Sequence, residues 1–120
     1  MNVAQITFNM TDNDTFKWNA GDASPGSLST DTLKDFKAWN GTSGDTIDIS
    51  DLLRSLGCQA NNPNLADWVS FNPANGSTPA SINIDAGAST PVIQTIVLEN
   101  ALLGPNTTLQ NLLDNRVLLT

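Results

Sequence analysis

Carboxylates are the side chains of this sequence whose type and spacing could do chemistry. Five aspartates fall between residues 31 and 51, among turns rich in Gly, Ser and Thr: Asp31, Asp35, Asp45, Asp48 and Asp51. Calcium takes six to eight oxygen ligands from carboxylates, amides and backbone carbonyls, and Gly-containing loops can point those oxygens inward. The cluster is compatible with a calcium site, for which Asp45 and Asp48 are candidate ligands, and equally with solvated turn aspartates.

The overall charge limits the classes of partner. The 120 residues carry a net charge of -7 at pH 7, and the sequence pI is near 4.1. Nucleic-acid binding needs a basic surface that displaces counterions from phosphates, so we expect none. Binding to anionic lipid is disfavoured because it also needs a basic surface. An acidic surface favours cations, or it serves solubility alone.

The usual parts of an active site are missing from the composition. The sequence has no histidine and a single cysteine, Cys58. The usual ligands of a hydrolytic zinc ion and the histidine base of nucleophilic catalysis are therefore missing. Paired carboxylates could do acid-base work, but nothing marks a pocket or a nucleophile. We therefore expect no enzymatic activity, and we interpret Cys58 as a small apolar core residue.

Targeting signals are equally sparse. No apolar run approaches the roughly 18 residues of a membrane span, so we expect no membrane insertion. The first residues have neither the basic nor the apolar region of a signal peptide. The sequence is therefore expected to be cytoplasmic or to carry a different export signal.

Short alternating runs predict the elements that would position these carboxylates. In the first half, β-type alternation predicts strands at residues 3–8, 15–18, 32–36 and 46–50. One or two helical turns are expected at 51–56, capped by Ser50 or Asp51 and ended by Gly57. These strands are separated by acidic and Gly-rich turns.

The second half predicts an antiparallel meander followed by a short helix. Its strands are expected at residues 68–71, 81–84 and 92–98. Three leucines at helical spacing then predict the helix, with Asn106 or Thr107 as its N-cap and Asn115 in the left-handed conformation at its end. The apolar tail that follows is compatible with a last strand docked on the sheet or with an export determinant.

Three segments together resemble the C-terminal region of RTX exoproteins. Residues 31–36, DTLKDF, resemble the D-x-I-x-D-F segment that follows the last repeat in serralysin-type proteases and RTX adhesins, and residues 44–50, GDTIDIS, are similar to the G-D-x-I-D-L-S segment after it. Residues 9–17, NMTDNDTFK, resemble a degenerate RTX nonapeptide, in which Asp14 and Phe16 match the Asp and large apolar positions.

The resemblance implies a fold and a set of calcium ligands. The fold would be mostly β: the end of a calcium-binding β-roll over residues 1–57, followed by an antiparallel β-sandwich-like cap over residues 58–120 with one short C-terminal helix. The whole would form a single domain. An acidic residue in the loop before D-x-I-x-D-F and the first Asp of that segment would hold a terminal Ca²⁺, here Asp22 and Asp31. Asp12 and Asp14 are further candidate ligands in the degenerate repeat.

The same resemblance implies a function in export. The domain would be the non-catalytic C-terminal part of a large RTX exoprotein of the adhesin type, secreted or held at a bacterial cell surface. Its partners would be the ABC transporter complex of a type I secretion system and the upstream RTX repeats of the same polypeptide, and it is expected to be a monomer. The uncleaved secretion signal would include Leu109, Leu112, Leu113, Val117, Leu118 and Leu119.

Two alternative functions remain open from the sequence. An extracellular module could contact a glycan or a surface through an exposed aromatic side chain, and Trp39, in the turn KAWNGTSG, is the best candidate. The chain could also be the C-terminal β-roll tail of a secreted serralysin-like protease whose catalytic domain lies upstream.

Overall fold

The computed structural model describes most of the chain in short stretches. They are residues 5–7, 14–19, 28–34, 36–39, 41–58, 65–85, 87, 91–99, 101, 103 and 107–120. Within them lie eight strands: β1 (Gln5–Thr7), β2 (Thr15–Lys17), β3 (Ser29–Lys34), β4 (Thr46–Asp48), β5 (Val69–Asn72), β6 (Ala80–Asp85), β7 (Val92–Glu99) and β8 (Leu118–Leu119). Two short helices, α1 (Ser50–Ser55) and α2 (Leu109–Asp114), and one 3₁₀ turn (Leu65–Asp67) complete the order. The expected mostly β fold with a short C-terminal helix is confirmed.

The strands form two sheets. The first has the order β1-β3-β7-β6-β5, and the second has the order β2-β4-β8. The predicted meander is confirmed, because β5, β6 and β7 pair in antiparallel fashion. The remaining pairs are parallel, including β3 with β7 and β4 with β8. The second half of the chain therefore completes both sheets that the first half begins.

The first four strands alternate between the two sheets. β1 and β3 pair in parallel in the first sheet, and β2 and β4 pair in parallel in the second. The chain thus passes twice through the same two-sheet path, as the chain of a parallel β-solenoid does. Gln5 aligns with Thr32 and Thr15 with Thr46, so each coil is longer than two nonapeptide repeats. The calcium-binding β-roll itself stays a prediction.

One apolar core lies under both sheets. Alternate residues of β6 and β7 point inward, as the pattern of the sequence predicts. The fully buried side chains include Leu33 and Ile96 of the first sheet and Ile47 of the second. Cys58 is buried in the core, as expected. None of the helices in the described ranges is long and apolar enough to cross a membrane.

The ends of the two helices differ from the predicted caps. Helix α1 is preceded by Ile49, which makes no side-chain cap, and neither Ser50 nor Asp51 caps it. The carboxylate of Asp48 instead accepts the backbone N–H of Ser50 at 3.0 Å and its hydroxyl at 2.6 Å. Gly57, at φ +101°, ends α1 as predicted. A carboxylate two residues ahead of the helix thus replaces the expected cap.

The caps of helix α2 differ from the predicted ones: the N-cap lies one residue after Thr107 and two after Asn106, and the left-handed residue lies one after Asn115. Thr108 is the N-cap, and it forms a reciprocal capping box with Asn111. At the other end Asn115 has φ -90°, and Arg116, at φ +58°, is the residue in the left-handed region. The N–H of Val117 donates to the carbonyl of Leu112 at 2.9 Å, which closes a Schellman-type turn.

Candidate functional site

Asp31 is a buried carboxylate that joins the two sheets. It lies on β3 and is 2% exposed. Its Oδ2 accepts the indole Nε1–H of Trp18 at 3.0 Å and the amide Nε2–H of Gln94 at 3.2 Å. Trp18 follows β2 in the second sheet and Gln94 belongs to β7 in the first. The carboxylate therefore links the two sheets through side chains that are themselves fully buried.

The amide of Gln94 leaves one oxygen without a partner. Its Nε2 donates to Asp31 and, at 3.0 Å, to the carbonyl of Thr95. Its Oε1 is the one buried side-chain polar atom of the described residues that has no hydrogen-bond partner. A buried acceptor left unpaired costs about 1–3 kcal/mol, so a donor or a cation beside it would be stabilising. Asp31 and Gln94 are the described side chains that fit best as part of a calcium site.

Those two side chains would supply only part of a coordination shell. Calcium takes six to eight oxygens, so further ligands would have to come from neighbouring backbone or from the loop before β3. The predicted partner of Asp31, Asp22, lies outside the described residues, as does Asp12. The joint Asp22 and Asp31 site stays a prediction.

Asp45 is engaged with backbone N–H groups. It is 1% exposed. Its Oδ1 accepts the N–H of Asp14 at 3.1 Å, and its Oδ2 accepts the N–H of Lys37 at 3.0 Å. The structure thus brings the candidate ligands Asp14 and Asp45 together, with the Asp45 carboxylate on the backbone of Asp14. This geometry holds the start of β2 and the turn before β4 in place.

Asp48 and Asp51 lie at the start of α1 and serve local contacts. Asp48 caps the helix through Ser50. Asp51 bonds to Lys17 at 2.9 Å and to Arg54 on the protein surface. The hydrogen bond to Asp51 raises the pKa of Lys17, and the hydrogen bonds from Lys17 and Arg54 lower the pKa of Asp51. Solvent screens both of these surface ion pairs, so they add little to the stability of the fold.

The described carboxylates do not converge on one point. Among the residues that the structure describes, no three acidic or cysteine side chains form a group that could hold a metal ion. Asp31, Asp45 and Asp48 each face N–H or O–H donors. Their roles as calcium ligands stay predictions.

The six aliphatic residues predicted for the secretion signal are divided between core and surface. Leu112, Val117 and Leu118 are buried, whereas Leu109 and Leu113 are half-buried and Leu119 is 37% exposed. The tail docks as β8 on β4, where Ile47 and Ile49 donate their N–H groups to the carbonyls of Val117 and Leu119. A groove of about 850 Å³ runs between α2, β8 and the 3₁₀ turn.

Trp39 is half-buried and lies at a second, smaller cleft. Part of its ring packs against the core. Trp39 also lines a cleft of about 450 Å³, together with Gly41, with Asp114 at the end of α2 and with Asn115 and Arg116 of the following turn. By contrast, Trp18 is fully buried, and Trp68 packs beside Gly57 and Gly87.

The sequence interpretation missed Trp18 and Gln94 as polar partners of Asp31. Gln94 interrupts the apolar run of β7, VIQTIV, and a polar residue on an inward-facing position is a signal for a buried hydrogen-bond network. Its partner could not be identified from the sequence, because Asp31 lies 63 positions away.

Comparisons with protein-family models, with curated proteins and with solved structures find no match to this chain. The class of protein is therefore defined by the fold and the candidate site. It is a mostly β protein of two sheets with solenoid-like parallel pairing and a buried, partly unsatisfied acid–amide cluster between the sheets.

Proposed function

We propose that this chain is the non-catalytic cap that ends the calcium-binding β-roll of a large RTX exoprotein of the adhesin type. In this proposal it also carries the type I secretion signal. The observation that carries the proposal is the alternation of β1, β2, β3 and β4 between the two sheets, with parallel pairing of β1 with β3 and of β2 with β4. That path is what the last coils of a solenoid would follow.

The arrangement of the sheet edges supports a terminal position. Of the described strands, β1 pairs only with β3, and β2 only with β4, so both sheets expose a parallel edge at their N-terminal side. An upstream coil of the same path could add one strand to each edge. The opposite side is covered by the antiparallel meander in one sheet and by β8 in the other. Terminal caps of this kind protect the core of repeat proteins.

The acidic composition supports folding that depends on calcium. During export the chain would pass unfolded through the transporter, where a low calcium concentration leaves its carboxylates mutually repulsive. Outside the cell, millimolar calcium would bind only the native state and shift the equilibrium towards folding. Asp31, which accepts a hydrogen bond from the partly unsatisfied amide of Gln94, is the described residue at which this effect would act.

Circular dichroism tests the calcium part of the proposal. We expect thermal melts in EDTA and in millimolar CaCl₂, with a MgCl₂ control, to show a calcium-specific rise in melting temperature. Asp31→Asn should raise the calcium concentration at half-effect about tenfold, which corresponds to roughly 1.4 kcal/mol. Asp67→Asn, which alters an exposed carboxylate of the 3₁₀ turn, is the matched control and should leave the titration unchanged.

Identical cooperative melts in EDTA and in calcium would reject calcium stabilisation of this domain. A calcium response that is the same in Asp31→Asn and in the parent chain would reject Asp31 as a ligand. In the first case the calcium dependence would have to belong to upstream repeats.

A passenger-secretion assay tests the export part. We expect deletion of residues 109–120 from a fused passenger to abolish its secretion by a strain with a matching transporter. This deletion also removes Leu112, Val117 and Leu118 from the core, but export uses the unfolded chain, so loss of folding does not explain loss of secretion. As a control, Ile82→Ala destabilises the core outside the signal and should still be secreted. Unchanged secretion of the deletion variant would contradict the proposal.

A further inference from the structure

We propose that the cleft beside Trp39 binds a neutral hexopyranose. Sugar binding would be a function beyond the proposed calcium binding and export, and residues 114–116 of the cleft lie within the segment 109–120 that is deleted in the secretion assay. The cleft lies between the turn that precedes β4 and the turn that follows α2, and its volume of about 450 Å³ fits one or two sugar rings.

The aromatic wall of the cleft is held rigidly. The backbone N–H of Trp39 donates to the carbonyl of Asp45 at 3.0 Å, and the N–H of Asp45 donates to the carbonyl of Lys37. The side chain of Trp39 is half-buried and packs against the core, which restricts its rotation. Gly41 also lines the cleft, and no atom lies within 4 Å of the position that a Cβ would take there, so this side of the cleft is open. A ring ligand could therefore approach the exposed part of the indole.

The polar wall of the cleft is also fixed by its backbone. Asp114 is the last residue of α2, and Asn115 and Arg116 begin the turn that leads to β8. Hydrogen bonds from the N–H groups of Arg116 and Val117 back to α2 hold this turn. A prearranged site loses less conformational entropy on binding than a flexible loop would.

The side chains of the cleft match a sugar in both charge and hydrogen-bonding type. Asp114 offers only acceptors, and its Oδ1 already accepts the Nε2–H of Gln110 at 2.8 Å. Arg116 offers only donors, and Asn115 offers both. Vicinal hydroxyl groups both donate and accept, so they can satisfy all three. The charges of Asp114 and Arg116 are opposite, which favours a neutral ligand over an anion or a cation. The apolar C–H face of a pyranose would pack on the ring of Trp39, as apolar groups do on aromatic faces.

The three indole N–H groups allow a direct test by NMR. In a ¹⁵N-labelled protein, Trp18, Trp39 and Trp68 each give one indole signal, and Trp39→Phe identifies that of Trp39. The probes are methyl α-D-glucopyranoside, methyl α-D-mannopyranoside and methyl β-D-galactopyranoside, each titrated to about 50 mM, which saturates a site with a dissociation constant of about 1 mM. We expect at least one probe to shift the Trp39 signal saturably and leave the Trp18 signal in place.

Two substitutions separate binding from folding. Arg116→Gly removes the guanidinium at a residue whose φ of +58° suits glycine, so we expect intact folding and at least tenfold weaker binding. Arg54→Gln removes another exposed guanidinium, from α1, and should leave binding unchanged. The absence of a Trp39 shift with all three sugars would overturn the proposal. So would a shift of the same affinity in Arg116→Gly, or equal shifts of all three indole signals.

Discussion

Replacing Gly44 with alanine is expected to destabilise the fold by about 3–5 kcal/mol, a large part of the stability of a domain of this size. The φ of Gly44 is +123°, which an L side chain rarely adopts. A Cβ there would lie 2.6 Å from the carbonyl oxygen of Ala38 and 2.8 Å from the Cα of Trp39. Both contacts are with backbone atoms, so this steric overlap could be removed only if the β-bridge between Ala38 and Asp45 opened.

Gly41→Ala is the matched control for this prediction. Gly41 also has a positive φ, +97°, but a Cβ there would meet no atom within 4 Å. Gly41→Ala should therefore lower the free energy of unfolding only by the cost of placing alanine at a positive φ, about 1–2 kcal/mol. Urea unfolding followed by Trp fluorescence gives both values. Equal losses in the two variants would show that the backbone overlap at Gly44 relaxes easily, against our expectation.

Asp45→Ala is expected to cost about 2–5 kcal/mol, because it leaves two N–H donors without their carboxylate. Each oxygen of Asp45 accepts one N–H, from Asp14 and from Lys37, in a place where Asp45 is 1% exposed. Hydrogen bonds to a charged acceptor contribute about 1.5–3 kcal/mol each, and an unpaired buried donor is costly. Chemical denaturation in EDTA measures this loss without any contribution from calcium.

Asp48→Ala provides the comparison for Asp45. Asp48 is half-buried and caps a short helix, so its loss should cost about 1 kcal/mol. Repeating both measurements in millimolar calcium distinguishes a structural role of each carboxylate from a role as a calcium ligand. If these carboxylates only accept hydrogen bonds, the stability that each variant loses should be the same in calcium as in EDTA. A loss for Asp45→Ala that appears only in calcium would make Asp45 a ligand and refute a purely structural role for its carboxylate.

The sequence predicted most of the elements, because they are local. Alternation located the strands of the meander, and Gly57 was expected at the end of α1 because only a left-handed residue closes that turn well. The spacing of Leu109, Leu112 and Leu113 predicted α2. Such patterns report which face of an element is buried, so they need no knowledge of partners.

The misplaced features depend on contacts that the local sequence does not specify. Ser50 is a good N-cap by type, but Asp48 accepts its N–H and hydroxyl. Asn115 tolerates the left-handed region better than arginine does, yet the pairing of the next residues with β4 places Arg116 there. The contact of Asp31 with Trp18 and Gln94 joins residues from both sheets. Periodicity carries no information on such partners.

The parallel pairing of β3 with β7 and of β4 with β8 has a consequence for the order of folding events. Each pair joins a strand from the first half of the chain to one near its far end. Closing such long loops costs entropy before any contact compensates for it, and proteins dominated by distant contacts fold slowly. The antiparallel hairpins of β5, β6 and β7 are local and can form early. We therefore expect the rate-limiting step of folding to be the pairing of β3 with β7 and of β4 with β8.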